Sequence, residues 1–182
     1  TPSLMMLENA LKKSCTRFIF EGREAGGHVA NLRSLKLWEN ALQFLENQDI
    51  RPLREITAVF AGGIATAAAS WFISGMTADL AGRGMKVGIL AGSPYLFTRE
   101  IVESGALTEK YQQVIIQEQN TFLVGQTVGL PLRTVETPSS RNIRNNEFSR
   151  LQKKMPLADR KEAFEQDNTC SLLIAAKAFA PD

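Results

Sequence analysis

The chain has 182 residues, 44% hydrophobic and 22% charged, with a formal net charge of +2 and a single histidine. So small a charge gives no support to nucleic-acid or membrane-surface binding, and two cysteines, Cys15 and Cys170, with one histidine make neither a disulfide framework nor a zinc set. A globular chain in a reduced, cytoplasmic compartment is expected, since no apolar run approaches the roughly 20 residues that span a bilayer. The opening Thr1-Pro2-Ser3 carries no leader pattern and suits a chain cut from something longer.

In chain order, residues 4–13 read as a helix leading into a first strand at 17–20, Arg-Phe-Ile-Phe. The loop Glu21-Gly22-Arg23-Glu24-Ala25-Gly26-Gly27 follows, then a helical pattern at 35–45. A second strand at 57–60 runs into Ala61-Gly62-Gly63 and a helix at 66–81, whose Ala, Ser and Gly content favours close packing onto a sheet. After the turn Gly82-Arg83-Gly84 comes a third strand at 86–90, then Ala91-Gly92-Ser93 and a helix at 98–104.

None of the three strands alternates in polarity, which predicts burial on both faces and a parallel sheet. The unit strand–glycine loop–helix thus occurs three times. In parallel β/α architecture the loops after strands share one rim, and successive glycine loops there suit a ligand whose phosphate needs close backbone approach.

Beyond Gly105 the character changes. Residues 107–122 predict a helix with mixed faces, 123–144 an irregular or partly extended stretch, and 147–155 and 157–165 exposed helices broken by Pro156. Residues 172–179 predict a docking helix.

His28 stands just past Gly26 and Gly27, beyond the first strand, where an imidazole can abstract a proton or donate a hydrogen bond to a ligand. The plain alternative is a loop histidine bonded to backbone. The amides of Gly62, Gly63, Gly92 and Ser93 lie where helix N-termini favour an anion. A phosphate site of this kind recurs after the last two strands of (β/α)₈ barrels, which numbers the three strands six, seven and eight. Glu21 and Glu24 are read as orienting the loop rather than as an acid–base pair. Trp38 and Trp71 are expected to be buried against the sheet, and Cys15 and Cys170 to be buried or inert. Lys153-Lys154 and Arg160-Lys161 are read as solvated helix faces.

Three strings occur in order: Phe20-Glu21-Gly22-Arg23-Glu24-Ala25-Gly26-Gly27-His28, then Val59-Phe60-Ala61-Gly62-Gly63-Ile64, then Gly92-Ser93-Pro94-Tyr95-Leu96. Together they resemble signatures of the nitronate monooxygenase (2-nitropropane dioxygenase) family, which includes FMN-dependent enoyl-acyl-carrier-protein reductases. Arg17-Phe18-Ile19-Phe20-Glu21-Gly22, Leu37-Trp38-Glu39 and Tyr95-Leu96-Phe97-Thr98 look most like the version attached to polyketide or polyunsaturated fatty-acid synthases. The likeness covers residues 15–107 and reappears at Leu173-Ile174-Ala175-Ala176-Lys177.

The resemblance implies an α/β fold, the C-terminal part of a (β/α)₈ TIM barrel, with residues 1–107 as a partial FMN-binding barrel (strands 6–8) and 108–182 as a mostly helical or irregular extension. It implies that Gly62, Gly63, Gly92 and Ser93 bind the FMN phosphate, that Gly26 and Gly27 bring backbone near the cofactor, and that His28 is base or substrate anchor. The activity implied is an FMN-dependent oxidoreductase. It would reduce the enoyl bond of a carrier-bound acyl chain with NAD(P)H as donor, or alternatively oxidise alkyl nitronates with oxygen. A non-catalytic docking or structural remnant is the third reading. The partners implied are an acyl carrier protein or a small-molecule substrate, together with the missing N-terminal half of the barrel. In a synthase the lysine and arginine pairs would meet an acidic carrier protein. Ala30 stands where the family has glycine, and alanine resists positive φ. Ser93 replaces a threonine, and its hydroxyl still donates.

Overall fold

A computed structural model describes residues 3–118 and 120–169. Its elements are α1 (Leu4–Lys12), β1 (Arg17–Glu21), β2 (Gly27–His28), α2 (Ser34–Asn47), β3 (Thr57–Ala61), α3 (Ala67–Gly82), β4 (Lys86–Leu90), α4 (Glu100–Glu103), α5 (Glu109–Gln117), β5 (Thr121–Val124), β6 (Leu132–Val135), α6 (Pro138–Gln152) and α7 (Leu157–Asn168). The chain divides into two compact units. One comprises Thr1–Ala25 and Val29–Gly92, the other Gly26–His28 and Ser93–Asp182. The segment 172–179, the string Leu173 to Lys177 and Cys170 lie outside the described residues.

The first unit is built on a parallel sheet of order β1-β3-β4. Phe18 lies beside Ala58 and Phe20 beside Phe60, so one face gathers the large side chains. On that face pack Leu7 and Leu11 of α1, Leu37, Trp38 and Leu45 of α2, and Ile73 and Leu80 of α3. The spacing of Leu37, Trp38, Ala41, Leu42 and Leu45 places all five on one side of α2, which is why that helix docks there. Trp38 meets the Phe60 ring edge-on, with centroids 6.0 Å apart.

The opposite face is not covered among the described residues. Ile19 and Leu90 are each 48% exposed there. The expectation of burial on both faces is therefore corrected: the apolar runs form parallel strands, but among the described residues helices cover the Phe18–Phe20 side and leave Ile19 and Leu90 half-exposed.

Trp71 is a second correction, since it is 78% exposed. α3 is apolar nearly all round, so polarity does not say which side faces the sheet. Ile73, Thr77 and Leu80 do so, and a Cβ added at Gly75 or Gly82 would meet nothing within 4 Å. Of the small residues of α3, Ala69 packs against the core, whereas Gly75 and Gly82 do not mediate the contact. Cys15 is exposed as well.

The second unit holds an antiparallel sheet of order β2-β6-β5. β5 and β6 fall in the stretch read as irregular or partly extended. Gly125 and Gly129, both at φ +75°, shape the connection between them. α6 begins nine residues before its predicted start of Glu147, because Thr137 caps it in a box with Ser140 and Pro138 fills the first turn. Val124, Val128, Ile143 and Phe164 form this unit's core. Within it the carboxylate of Glu147, 3% exposed, accepts from the amides of Gly125 at 2.8 Å and Thr127 at 2.6 Å.

Candidate functional site: the glycine loops and His28

In the first unit the register sets Glu21 beside Ala61 and Ala61 beside Leu90, so the three parallel strands end at one level. The chain continues from them into Gly22, Gly62 and Ala91-Gly92. The first two loops touch. Gly22 donates its amide to the Ala61 carbonyl at 3.2 Å. A Cβ added at Gly62 would lie 3.2 Å from the amide nitrogens of Gly22 and Ala25, and 2.6 Å from the hydroxyl of Ser34.

Gly62 and Gly63 stand at φ +108° and +79°, the left-handed region that glycine enters at little cost. Gly63 is exposed and leads into α3, whose first turn is capped by the Thr66 side chain accepting from the Ala69 amide at 3.2 Å. Gly92 is exposed, and a Cβ built there meets nothing within 4 Å, so its backbone is open to approach.

Glu24 orients the loop, as its residue type and place suggested: its Oε2 accepts from the Ser34 amide at 2.6 Å, at the start of α2. Burial pushes this carboxyl upward. The Ser34 side chain and amide, with the Arg33 charge, outweigh that and hold it below the ordinary carboxylate range. The Ser34 hydroxyl, buried against the same carboxylate, makes no well-formed hydrogen bond. Ser34 is the residue that sequence reasoning missed. It lies in none of the three strings, and only the packing of α2 brings it to the loops.

In the second unit, His28 is exposed and stands in β2, beside Leu132 of β6, with Gly27 beside Arg133. The sequence places it on a loop; the structure places it in a two-residue strand, because Gly27 at φ +75° turns the chain onto the open edge of β6. Gly26 lies near Ser93, whose Oγ would be 3.8 Å from a Cβ added at Gly26. Ala30 is not among the described non-glycine residues with positive φ, so alanine fits there without strain, and its side chain is buried.

No protein-family model matches the chain, and no curated protein matches it. Among solved structures, FabK from Thermotoga maritima aligns with a TM-score of 0.61 and 22% identity, over 94% of this chain and 45% of that one. A single-substitution mutant of the same FabK aligns with a TM-score of 0.48 and 22% identity, over 80% of this chain and 40% of that one. The likeness is one of fold. The chain spans less than half the length of FabK.

Gly63 and Gly92 of the first unit are exposed glycines following parallel strands, a backbone that suits a phosphate. In the second unit Ser93 is exposed and its hydroxyl can donate. Gly62 differs: the space beside it is filled by Ser34, Gly22 and Ala25 of the chain itself. Among the described residues no group of three or more His, Cys, Asp or Glu side chains is placed to hold a metal ion. No helix among them is long and apolar enough to cross a membrane.

Proposed function

We propose that this chain supplies the FMN-phosphate loops and the histidine of an FMN-dependent oxidoreductase with a (β/α)₈ barrel. Within the first unit, β1-α2 and β3-α3 are two of the barrel's strand–helix units and β4 is a third strand. The observation that carries the reading is the common level at which β1, β3 and β4 end, each followed by a glycine-bearing loop. The fold likeness to about half of FabK supports a partial barrel.

In this reading the backbone of Gly63 and Gly92 and the hydroxyl of Ser93 hold the phosphate, Gly62 sets the turn that presents Gly63, and Gly26 and Gly27 bring main chain near the cofactor. FMN, when bound, supplies a ring that takes up and delivers hydride. The His28 imidazole holds or moves a proton, as base or as substrate anchor. The synthase-like strings favour reduction of the enoyl bond of a carrier-bound acyl chain with a nicotinamide donor. Residues 1–107 carry the cofactor and 108–182 form the extension.

A flavin fluorescence titration of the 182-residue chain tests the phosphate loops. FMN is expected to bind weakly, yet about tenfold more tightly than riboflavin, the worth of one or two hydrogen bonds to an anion. Equal binding of FMN and riboflavin would overturn the assignment. In a whole-barrel protein containing this chain, NADPH-dependent flavin reduction supports enoyl reduction, whereas oxygen uptake with an alkyl nitronate supports the nitronate chemistry. Turnover unaffected by His28→Ala would remove the histidine from either scheme.

A further inference from the structure

We infer that Glu24 is a positioning residue: with its carboxylate fixed on the first amide of α2, it holds the second glycine loop in the backbone shape that Gly62 and Gly63 adopt. Three observations within the first unit carry this. The N-cap position of α2, Arg33, gives that helix no side-chain cap of its own. The cap comes from Glu24, ten residues upstream, at 2.6 Å from the Ser34 amide.

The stem of the same side chain lies against Gly63, where an added Cβ would stand 3.2 Å from the Glu24 Cβ and 3.8 Å from its Cγ. Ser34 is in turn the point on which both loops close. A Cβ at Gly22 would fall 2.3 Å from its Oγ, and one at Gly62 would fall 2.6 Å from that atom. The first turn of α2, the first loop and the second loop therefore share one packing point, and a charge-assisted hydrogen bond from the Ser34 amide to Glu24 fixes it.

It follows that phosphate affinity at Gly63 depends on a side chain that does not touch phosphate. This consequence rests on the phosphate reading of the loop proposed above; the packing itself does not.

Amide NMR and hydrogen exchange on the full chain, combined with the flavin titration, separate the two. In Glu24→Ala the Gly62 and Gly63 amide resonances should move, and their exchange should speed about tenfold, the scale set by losing one hydrogen bond to a charged group. Glu24→Gln, which keeps an acceptor and the stem, should restore part of both. Ile73→Val, a mild core change in the same unit, should move neither.

The preference for FMN over riboflavin should fall about tenfold in Glu24→Ala, with riboflavin binding unchanged. Gly62 and Gly63 amides unmoved by Glu24→Ala, or moved equally by Ile73→Val, would overturn the inference whatever flavin does. Amides that move while the wild-type chain shows no FMN preference would uphold the positioning role and overturn the phosphate reading. A wild-type preference that survives in Glu24→Ala would overturn the link between them.

Discussion

The indole Nε1–H of Trp38 donates to the carbonyl oxygen of Phe20 across 3.1 Å, in the buried layer between α2 and β1. It ties the helix to the strand that leads into the first glycine loop, and it sits among Phe18, Phe20 and Phe60. Trp38→Phe keeps an aromatic ring but leaves that carbonyl without its side-chain donor and opens space beside Phe60. A loss of about 1–3 kcal/mol in urea unfolding is expected.

Trp71 should behave in the opposite way. With 78% of its surface exposed, it should be quenched freely by acrylamide, whereas Trp38 is protected. Trp71→Ser should change stability by no more than about 0.5 kcal/mol, which chemical denaturation can check.

Glu147 carries a buried amide, that of Gly125, and a half-buried one, that of Thr127, on one carboxylate. Glu147→Ala leaves the Gly125 and Thr127 donors without that acceptor, and a cost of about 2–5 kcal/mol is expected. Glu147→Gln offers one acceptor oxygen and should recover part of it. The loss should appear first as faster amide exchange in β5 and in residues 126–128.

Two glycine-to-alanine substitutions should have opposite signs. Gly62→Ala sets a Cβ at φ +108° and 2.6 Å from the Ser34 Oγ, and about 2–4 kcal/mol of destabilisation is expected. Gly75→Ala adds a Cβ in open space inside α3 and should stabilise by about 0.5–1 kcal/mol. Thermal unfolding of the two variants side by side tests both.

The acid limb of the stability curve should report Glu24. Its folded pKa lies below the ordinary 4.5. Its contribution is therefore complete above that value and lost as pH falls through the lowered one. Glu24 is mostly exposed, so the effect is under about 1 kcal/mol. Glu24→Gln should flatten the dependence of unfolding free energy on pH between about pH 5 and pH 2 by that amount, as comparison with wild type at matched pH values will show.

Local chemistry made the parallel half of the fold legible. β4 has the bounds its apolar run predicts, and β1 and β3 each extend one residue beyond theirs. Trp38 falls in a helix whose apolar side is evident from spacing, so its burial could be read. Trp71 lies in a helix without a polar side, so its orientation could not. The hairpin of β5 and β6 hides in a glycine-containing run without strong alternation, although Gly125 and Gly129 between two β-branched stretches were a usable signal. Thr137-Pro138 likewise announces a helix start. Of the site, the glycines and His28 were visible as strings. The strand partner of His28 and the place of Ser34 were not, because both depend on packing between segments that no local pattern links.

The ladder between His28 and Leu132 also bears on the order in which the molecule assembles. His28 is synthesised early, but the strand it joins emerges roughly a hundred residues later. Pairings of such long sequence separation form slowly, because loop closure precedes any reward from contact. During translation the parallel sheet can complete itself while Gly26–His28 still waits as an unpaired tether. The histidine is thus among the last parts of the early chain to reach its final setting, and a ribosome-stalled chain ending before β6 should show it still unstructured.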